Sequence, residues 1–381
     1  MNRSLKRGLI LGTALVTLTG CLEKTKVVDL YDAENILVSD TGRVFVTGGD
    51  GIFEIVRAAT ESGYRKERLA LEDLPSDSPD ENTQRLQTCM FTGIAERNNT
   101  LFSVCKAITL DTQVDSTAVL FDLQADNRLY AMPLERQGEE RVMERVDPLE
   151  NDPMDALLTV NGLAFSPNGD LLLADYLITP DPDDPAKQGG VARMTLDFST
   201  RIPRMLSFER QWLGPDEGVV SPNGLRVADN ALYLSEARAV KRFQFDAQGD
   251  IPASLTNAQG ETTPNGQTLW HTQSDSPFII DDLLPVCGGV AFADYLYGSL
   301  YYVPPTGEQD AWGRPLFKDS PLRTFLFNYG MPSSLAVGDG NLFAENQLLV
   351  TEKGVILLED GDKGDNLVVS PISKTCEELN E

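Results

Sequence analysis

The chain has 381 residues, of which 41% are hydrophobic and 24% charged, enough apolar material for a large buried core. Its formal net charge is −26 and its single histidine adds almost nothing to that balance. So acidic a surface repels phosphate backbones and excludes nucleic acid as a partner.

The first element is a targeting segment. Arg3, Lys6 and Arg7 form a basic start, residues 9–18 an apolar run too short to span a bilayer, and Leu18-Thr19-Gly20-Cys21 follows. This ending resembles the lipobox of bacterial lipoproteins. The resemblance implies cleavage of residues 1–20 before Cys21, which becomes the lipidated N-terminus, with residues 21–28 as a tether and 29–381 as the folded body. Leu22 rather than Asp follows the cysteine. In a Gram-negative source that resemblance places the protein in the cell envelope, on the outer membrane. No later segment has the length and apolarity of a membrane-spanning helix.

Beyond the anchor the sequence repeats itself. Asn161-Gly-Leu-Ala-Phe-Ser-Pro-Asn-Gly-Asp-Leu-Leu-Leu-Ala-Asp175 is echoed by Asn223-Gly-Leu-Arg-Val-Ala-Asp-Asn-Ala-Leu-Tyr-Leu-Ser-Glu236. Each copy is a polar opener, a short apolar strand, a turn and a second apolar strand. Six such strand-rich units run along the chain, opening at Glu34, Thr92, Asn161, Asn223, Asp281 and Ser333. Unit two takes in residues 118–123 and 128–134, and unit six ends with strands at 347–352 and 355–358. β-Branched and aromatic runs bounded by Gly, Pro, Asn and Asp read as strands, and helical periodicity is almost absent. Thr41-Gly42 and Asn168-Gly169 supply the positive φ that a tight hairpin needs. Repetition at this interval with all-β content predicts a six-bladed β-propeller.

The cysteines suit an oxidising compartment. With Cys21 lipidated, Cys89, Cys105, Cys287 and Cys376 remain, an even set that reads as two disulfides. Cys89 and Cys105 flank a hairpin, so Cys89–Cys105 with Cys287–Cys376 is the favoured pairing of the three that four cysteines allow. Long acidic stretches at 72–81, 147–155 and 181–184 read as solvated rim loops. Neither 181–184 nor 361–366 has EF-hand spacing.

The repeated Asn-Gly-Leu phrase, the six units and the acidic opener together resemble the SMP-30/gluconolactonase/LRE-like six-bladed propellers, over roughly residues 28–359. Paraoxonases and strictosidine-synthase-like proteins are more distant relatives of that architecture. In the resembled family, Glu, Asn and Asp openers hold a catalytic divalent metal. The resemblance carries this role to Glu34, Asn161 or Asn223, and Asp281. Geometry reaches the same residues, because the innermost strand of each blade starts beside the central channel and equivalent openers converge. Two carboxylates and two amides are the oxygen set a hard cation wants, Ca2+ before Zn2+, Mn2+ or Mg2+. Asn-Gly and Asp at such places also serve as turn residues. Asp281 is preferred over Asp282 because Leu283 then aligns with Leu163 and Leu225.

Two departures bear on substrate. Sugar-lactone members of the resembled family have arginine two residues before the third-blade Asn, where this chain has Thr159. Paraoxonases place histidine at the second opener, where this chain has Thr92. The single histidine, His271, falls in a strand or rim segment. No Gly-x-Ser-x-Gly, Walker A or dinucleotide phrase is present. The expectation is a monomeric, lipid-anchored, metal-dependent lactonase or esterase acting on a small molecule. Asp281 would serve as both ligand and general base, and Thr92 and Ser333 would face substrate. The alternative is a non-enzymatic envelope binding propeller with a structural ion.

Overall fold

The computed structural model describes residues 24–49, 51–72, 83–111, 124–134, 141–177, 180, 183–184, 187–272, 279–323, 329–354, 364–372 and 374–381. The lipobox, with Cys21, lies outside them, as do residues 118–123 and 355–358.

Six antiparallel sheets stand around a common axis as the blades of a β-propeller. From the inside outward, blade 1 is Ile36–Val38, Val44–Gly48, Gly51–Arg57 and Tyr64–Arg68. Blade 2 is Thr83–Arg97, Thr100–Asp111, Gln124–Pro133 and Val142–Arg145, with Ala70–Leu71 added parallel at its edge. Blade 3 is Val160–Phe165, Leu171–Asp175, Gly190–Asp197 and Arg204–Leu213. Blade 4 is Pro222–Ala228, Ala231–Glu236, Ala239–Gln244 and Gln267–His271. Blade 5 is Ile280–Val286, Gly289–Asp294, Ser299–Val303 and Leu322–Arg323. Blade 6 is Pro332–Val337, Gln347–Glu352 and Asn366–Pro371, and its outermost strand is Thr25–Asp29 from the other end of the chain.

That last pairing closes the ring, Thr25 opposite Val369 and Asp29 opposite Asn366. It corrects the reading of residues 21–28 as a tether, since 25–28 are part of the sheet. The third strand of blade 6 is Asn366–Pro371, and the strand expected at 355–358 falls on residues outside those described.

Each blade is covered on both faces by its neighbours, so the middle strands are apolar without alternation. Leu171–Asp175 and Gly289–Asp294 are buried at every position. The core is therefore a ring of layers between sheets. Phe102 and Leu129 of blade 2 pack with Leu163 and Leu173 of blade 3, and Leu300 of blade 5 packs with Leu335 and Val350 of blade 6. The outer strand Arg204–Leu213 is mixed, with Met205 and Leu213 buried and Arg204, Leu206 and Ser207 exposed.

The hairpin turns follow the sequence reading, with Gly42 at φ +76° and Gly169 at φ +99°. The disulfides follow it too. Cys89–Cys105 joins the first two strands of blade 2, and Cys287–Cys376 ties a blade 5 turn to the C-terminal helix Cys376–Asn380.

Candidate functional site

The six openers stand at equivalent places, five of them set there by a β-bulge. In blades 2–6 the innermost strand carries one extra residue against its neighbour. Pairing steps from Phe91↔Cys105 to Ile94↔Ser103 and from Val160↔Asp175 to Leu163↔Leu173. It steps likewise from Pro222↔Glu236 to Leu225↔Leu234, from Ile280↔Asp294 to Leu283↔Phe292, and from Pro332↔Glu352 to Ser334↔Thr351. Thr92, Asn161, Asn223, Asp281 and Ser333 all lie in these bulges, which re-aim a side chain locally. The register reading for blade 5 holds, because Leu283 is the counterpart of Leu163 and Leu225.

The Asn-Gly phrase is thus not a turn. Its glycine lets neighbouring inner strands approach. A Cβ on Gly162 would sit 2.5 Å from the Asn223 carbonyl oxygen and 2.7 Å from the Leu225 nitrogen. The acid that ends each phrase has a separate task. Asp175 accepts from the backbone N–H groups of Leu158 (2.6 Å) and Thr159 (3.2 Å), just ahead of Asn161. Glu236 does the same for Val220 (2.8 Å) and Ser221 (3.3 Å), ahead of Asn223. Glu352 accepts from Gly330 at 3.0 Å, ahead of Ser333. These carboxylates hold the entry to each inner strand.

Three predicted donors form a chain across blades 3, 4 and 5. The Asn161 amide donates to Asn223 Oδ1, and the Asn223 amide donates to Asp281 Oδ1 at 2.8 Å. Glu34, from blade 1, joins them electrostatically. The Asp281 carboxyl is pushed up to about 7, first by burial and then by the Glu34 charge. Asp282 turns to the next layer down, where Arg226 pairs with it and Ser334 Oγ donates to its Oδ2 at 2.5 Å. This layer links blades 4, 5 and 6 beneath the openers. Arg226 also lines a cavity of about 580 Å3 farther along the channel, with Asp40, Glu96, Arg97 and Phe165 in its wall.

Thr92 and Ser333 behave differently. Thr92 Oγ1 donates to the Val160 carbonyl at 2.7 Å and Ser333 Oγ to the Ala33 carbonyl at 2.6 Å. Both protons are spent on the next blade. His271 ends the outermost strand of blade 4 and is exposed, away from the axis.

A second ring of side chains escaped the sequence reading. It comes from the position after the phrase-ending acid, or after its counterpart Cys105. There stand Lys106, Tyr176, Tyr295 and Lys353, each buried. The Lys353 ammonium lies against Glu34 Oε2, and Tyr295 donates to the Gly354 carbonyl at 2.7 Å. Tyr176 and Tyr295 feel the charges of Glu34, Asp281 and Lys353, and burial raises both phenols far above their ordinary range. The available signal was positional. Lys106 and Lys353 come from the two blades whose openers are hydroxyls.

The donor set fits a hard divalent cation. Its oxygens are two carboxylates and two amides. Of this set, Glu34 Oε1 and Asn161 Oδ1 are buried and accept no hydrogen bond. Such orphaned acceptors are costly unless something binds them. Among the described residues no three His, Cys, Asp or Glu side chains stand together as a metal-holding group.

No protein-family model and no curated protein sequence matches the chain. Solved structures do match it. One is the PQQ-bound form of aldose sugar dehydrogenase from Streptomyces coelicolor, at 16% identity and a TM-score of 0.50, covering 91% of this chain and 95% of that one. Another is a putative oxidoreductase (glucose dehydrogenase) from Thermus thermophilus, at 15% identity and a TM-score of 0.51, covering 91% and 99%. A third is the calcium-binding protein regucalcin from Agrobacterium tumefaciens, at 12% identity and a TM-score of 0.48, covering 92% of each chain. The first two share the propeller fold with this chain.

Proposed function

We propose that the chain is a divalent-cation-dependent hydrolase of esters or lactones, held at the cell envelope, on the outer membrane of a Gram-negative source, by lipid on Cys21. The observation that carries this reading is the convergence of Glu34, Asn161, Asn223 and Asp281 on the axis with buried oxygens left unsatisfied. These four residues would hold the ion, Ca2+ by their all-oxygen character. A bound ion of this kind polarises an ester carbonyl and lowers the pKa of water.

The chain's own residues supply the rest. Burial and the Glu34 charge raise the Asp281 carboxyl in the cation-free chain, and a cation held there would favour its carboxylate form, which could then take a proton from water as a general base. Asn223 fixes the Asp281 carboxylate through its amide N–H. Lys353 restrains Glu34. Arg226 and Asp282 form a floor that separates the openers from the lower cavity.

The second reading is an envelope binding propeller in which the ion is structural. The Lys353 ammonium on Glu34 favours it, because part of the negative charge is already balanced. Elemental analysis of the purified chain, then a panel of lactones and aryl esters with Ca2+, Mn2+ or Zn2+ restored after chelation, separates the two. Cation-dependent turnover supports the hydrolase. A bound ion with no turnover leaves the binding module. A chain that takes up no divalent cation ends both.

A further inference from the structure

Lys106 has no task in the reading above. It is 5% exposed. Its ammonium makes no hydrogen bond or ion pair with any described residue, while Lys353 is seated on Glu34 and Arg226 on Asp282. The charges it feels are all axial: Glu34, Lys353, Asp281 and Asp32. Burial brings its pKa down to about 8, so it is still a cation at neutral pH. An ammonium on a largely buried side chain with no partner among the described residues is unfavourable. Such a group persists where a ligand supplies the countercharge.

Charge counting points the same way. Glu34, Asp281 and Asp282 face Lys106, Lys353 and Arg226, and Asp32 adds one more buried carboxylate. A divalent cation held by Glu34 and Asp281 would draw on the carboxylates whose charges Lys106 feels and leave it short of countercharge.

We propose that the substrate is an anionic acyl compound, an ester or lactone carrying a carboxylate that pairs with Lys106. This rests on the hydrolase reading for the ester and on Lys106 for the charge. The covalent step is that of ordinary hydrolysis: water adds, the acyl–oxygen bond breaks, and acid and alcohol are released.

The test uses the full chain with Ca2+ and two esters of matched size, monophenyl succinate and phenyl butyrate. 4-Phenoxybutyrate serves as an anionic analogue that cannot be cleaved. The wild type is expected to prefer the succinate ester. Lys106→Met should lower kcat/KM for that ester by about 10–100-fold, or about 1.4–2.7 kcal/mol. It should change the neutral ester by less than about threefold, the scale of an uncharged contact. It should also weaken 4-phenoxybutyrate binding by calorimetry, and Lys106→Arg should retain the preference. Equal losses on both esters, or a neutral preference indifferent to Lys106, would overturn the assignment. If neither ester is cleaved yet 4-phenoxybutyrate binds through Lys106, the hydrolase reading fails and the anion assignment stands. If the analogue does not bind, the anion assignment fails by itself.

Discussion

The two halves of the axial ring use one backbone device for different ends. In blades 3, 4 and 5 the bulge carries Asn161, Asn223 and Asp281, whose side chains meet one another. In blades 2 and 6 the same bulge carries Thr92 and Ser333, whose hydroxyls fasten to the next blade. There the second strand delivers Lys106 and Lys353 to the axis instead, on either side of Glu34 in blade 1. The difference teaches that position around the ring decides where a side chain can reach. Its chemistry decides whether it builds a site or a joint.

The largest effect expected from breaking this division is at Asp281. Asp281→Ala should lower kcat/KM by about 10²–10⁴-fold, the range for losing a general base, and should reduce bound metal by elemental analysis. An unchanged rate would remove Asp281 from the chemistry. The same carboxyl sets a pH profile. In the cation-free chain it stands near 7, so Ca2+ uptake measured by calorimetry should strengthen as pH rises through that value and the carboxylate form appears, and an affinity flat from pH 5 to 9 would contradict this.

Next is the acid that anchors blade 3. Burial raises Asp175 to about 6 from an ordinary 3.8. Between those values the folded chain keeps a proton that the unfolded chain has released. Stability therefore falls as pH rises across that window, by on the order of 2–3 kcal/mol. Asp175→Asn keeps an acceptor for the Leu158 and Thr159 N–H groups and should flatten the slope in urea unfolding.

Two smaller changes sharpen the contrast. Gly162→Ala forces a methyl against the Asn223 carbonyl and should cost about 1–3 kcal/mol, measured by denaturant midpoint. Thr92→Val removes one joint and should cost about 0.5–1.5 kcal/mol while leaving kcat/KM within about twofold, since no substrate contact is lost. If Thr92→Val instead removes activity, Thr92 belongs to the site and the two halves are not distinct.

Much of this was legible beforehand. The period of the phrase, its strand pattern and its turn residues specified the propeller, and four openers were named because their places in the phrase are equivalent. Cys89–Cys105 followed from the hairpin that the two cysteines flank, and Cys287–Cys376 was the pair that remained. The closing strand Thr25–Asp29 was not legible, since its partner Asn366–Pro371 lies at the far end of the chain and no local signal links them. The lysines were missed because a lysine within a strand or just after one ordinarily faces solvent. Only the ring turns that position inward.

By itself, then, the sequence determined repetition, strand content and which residue types recur at each blade's start, because these are local properties of propensity and spacing. The tertiary structure decided which recurring residues meet. Bulge geometry and blade order aim Asn161, Asn223 and Asp281 at one another, send Thr92 and Ser333 to their neighbours' carbonyls, and bury Lys106 among the axial charges. That distinction depends on distances of a few ångströms between residues dozens to hundreds apart, which no pattern along the chain encodes.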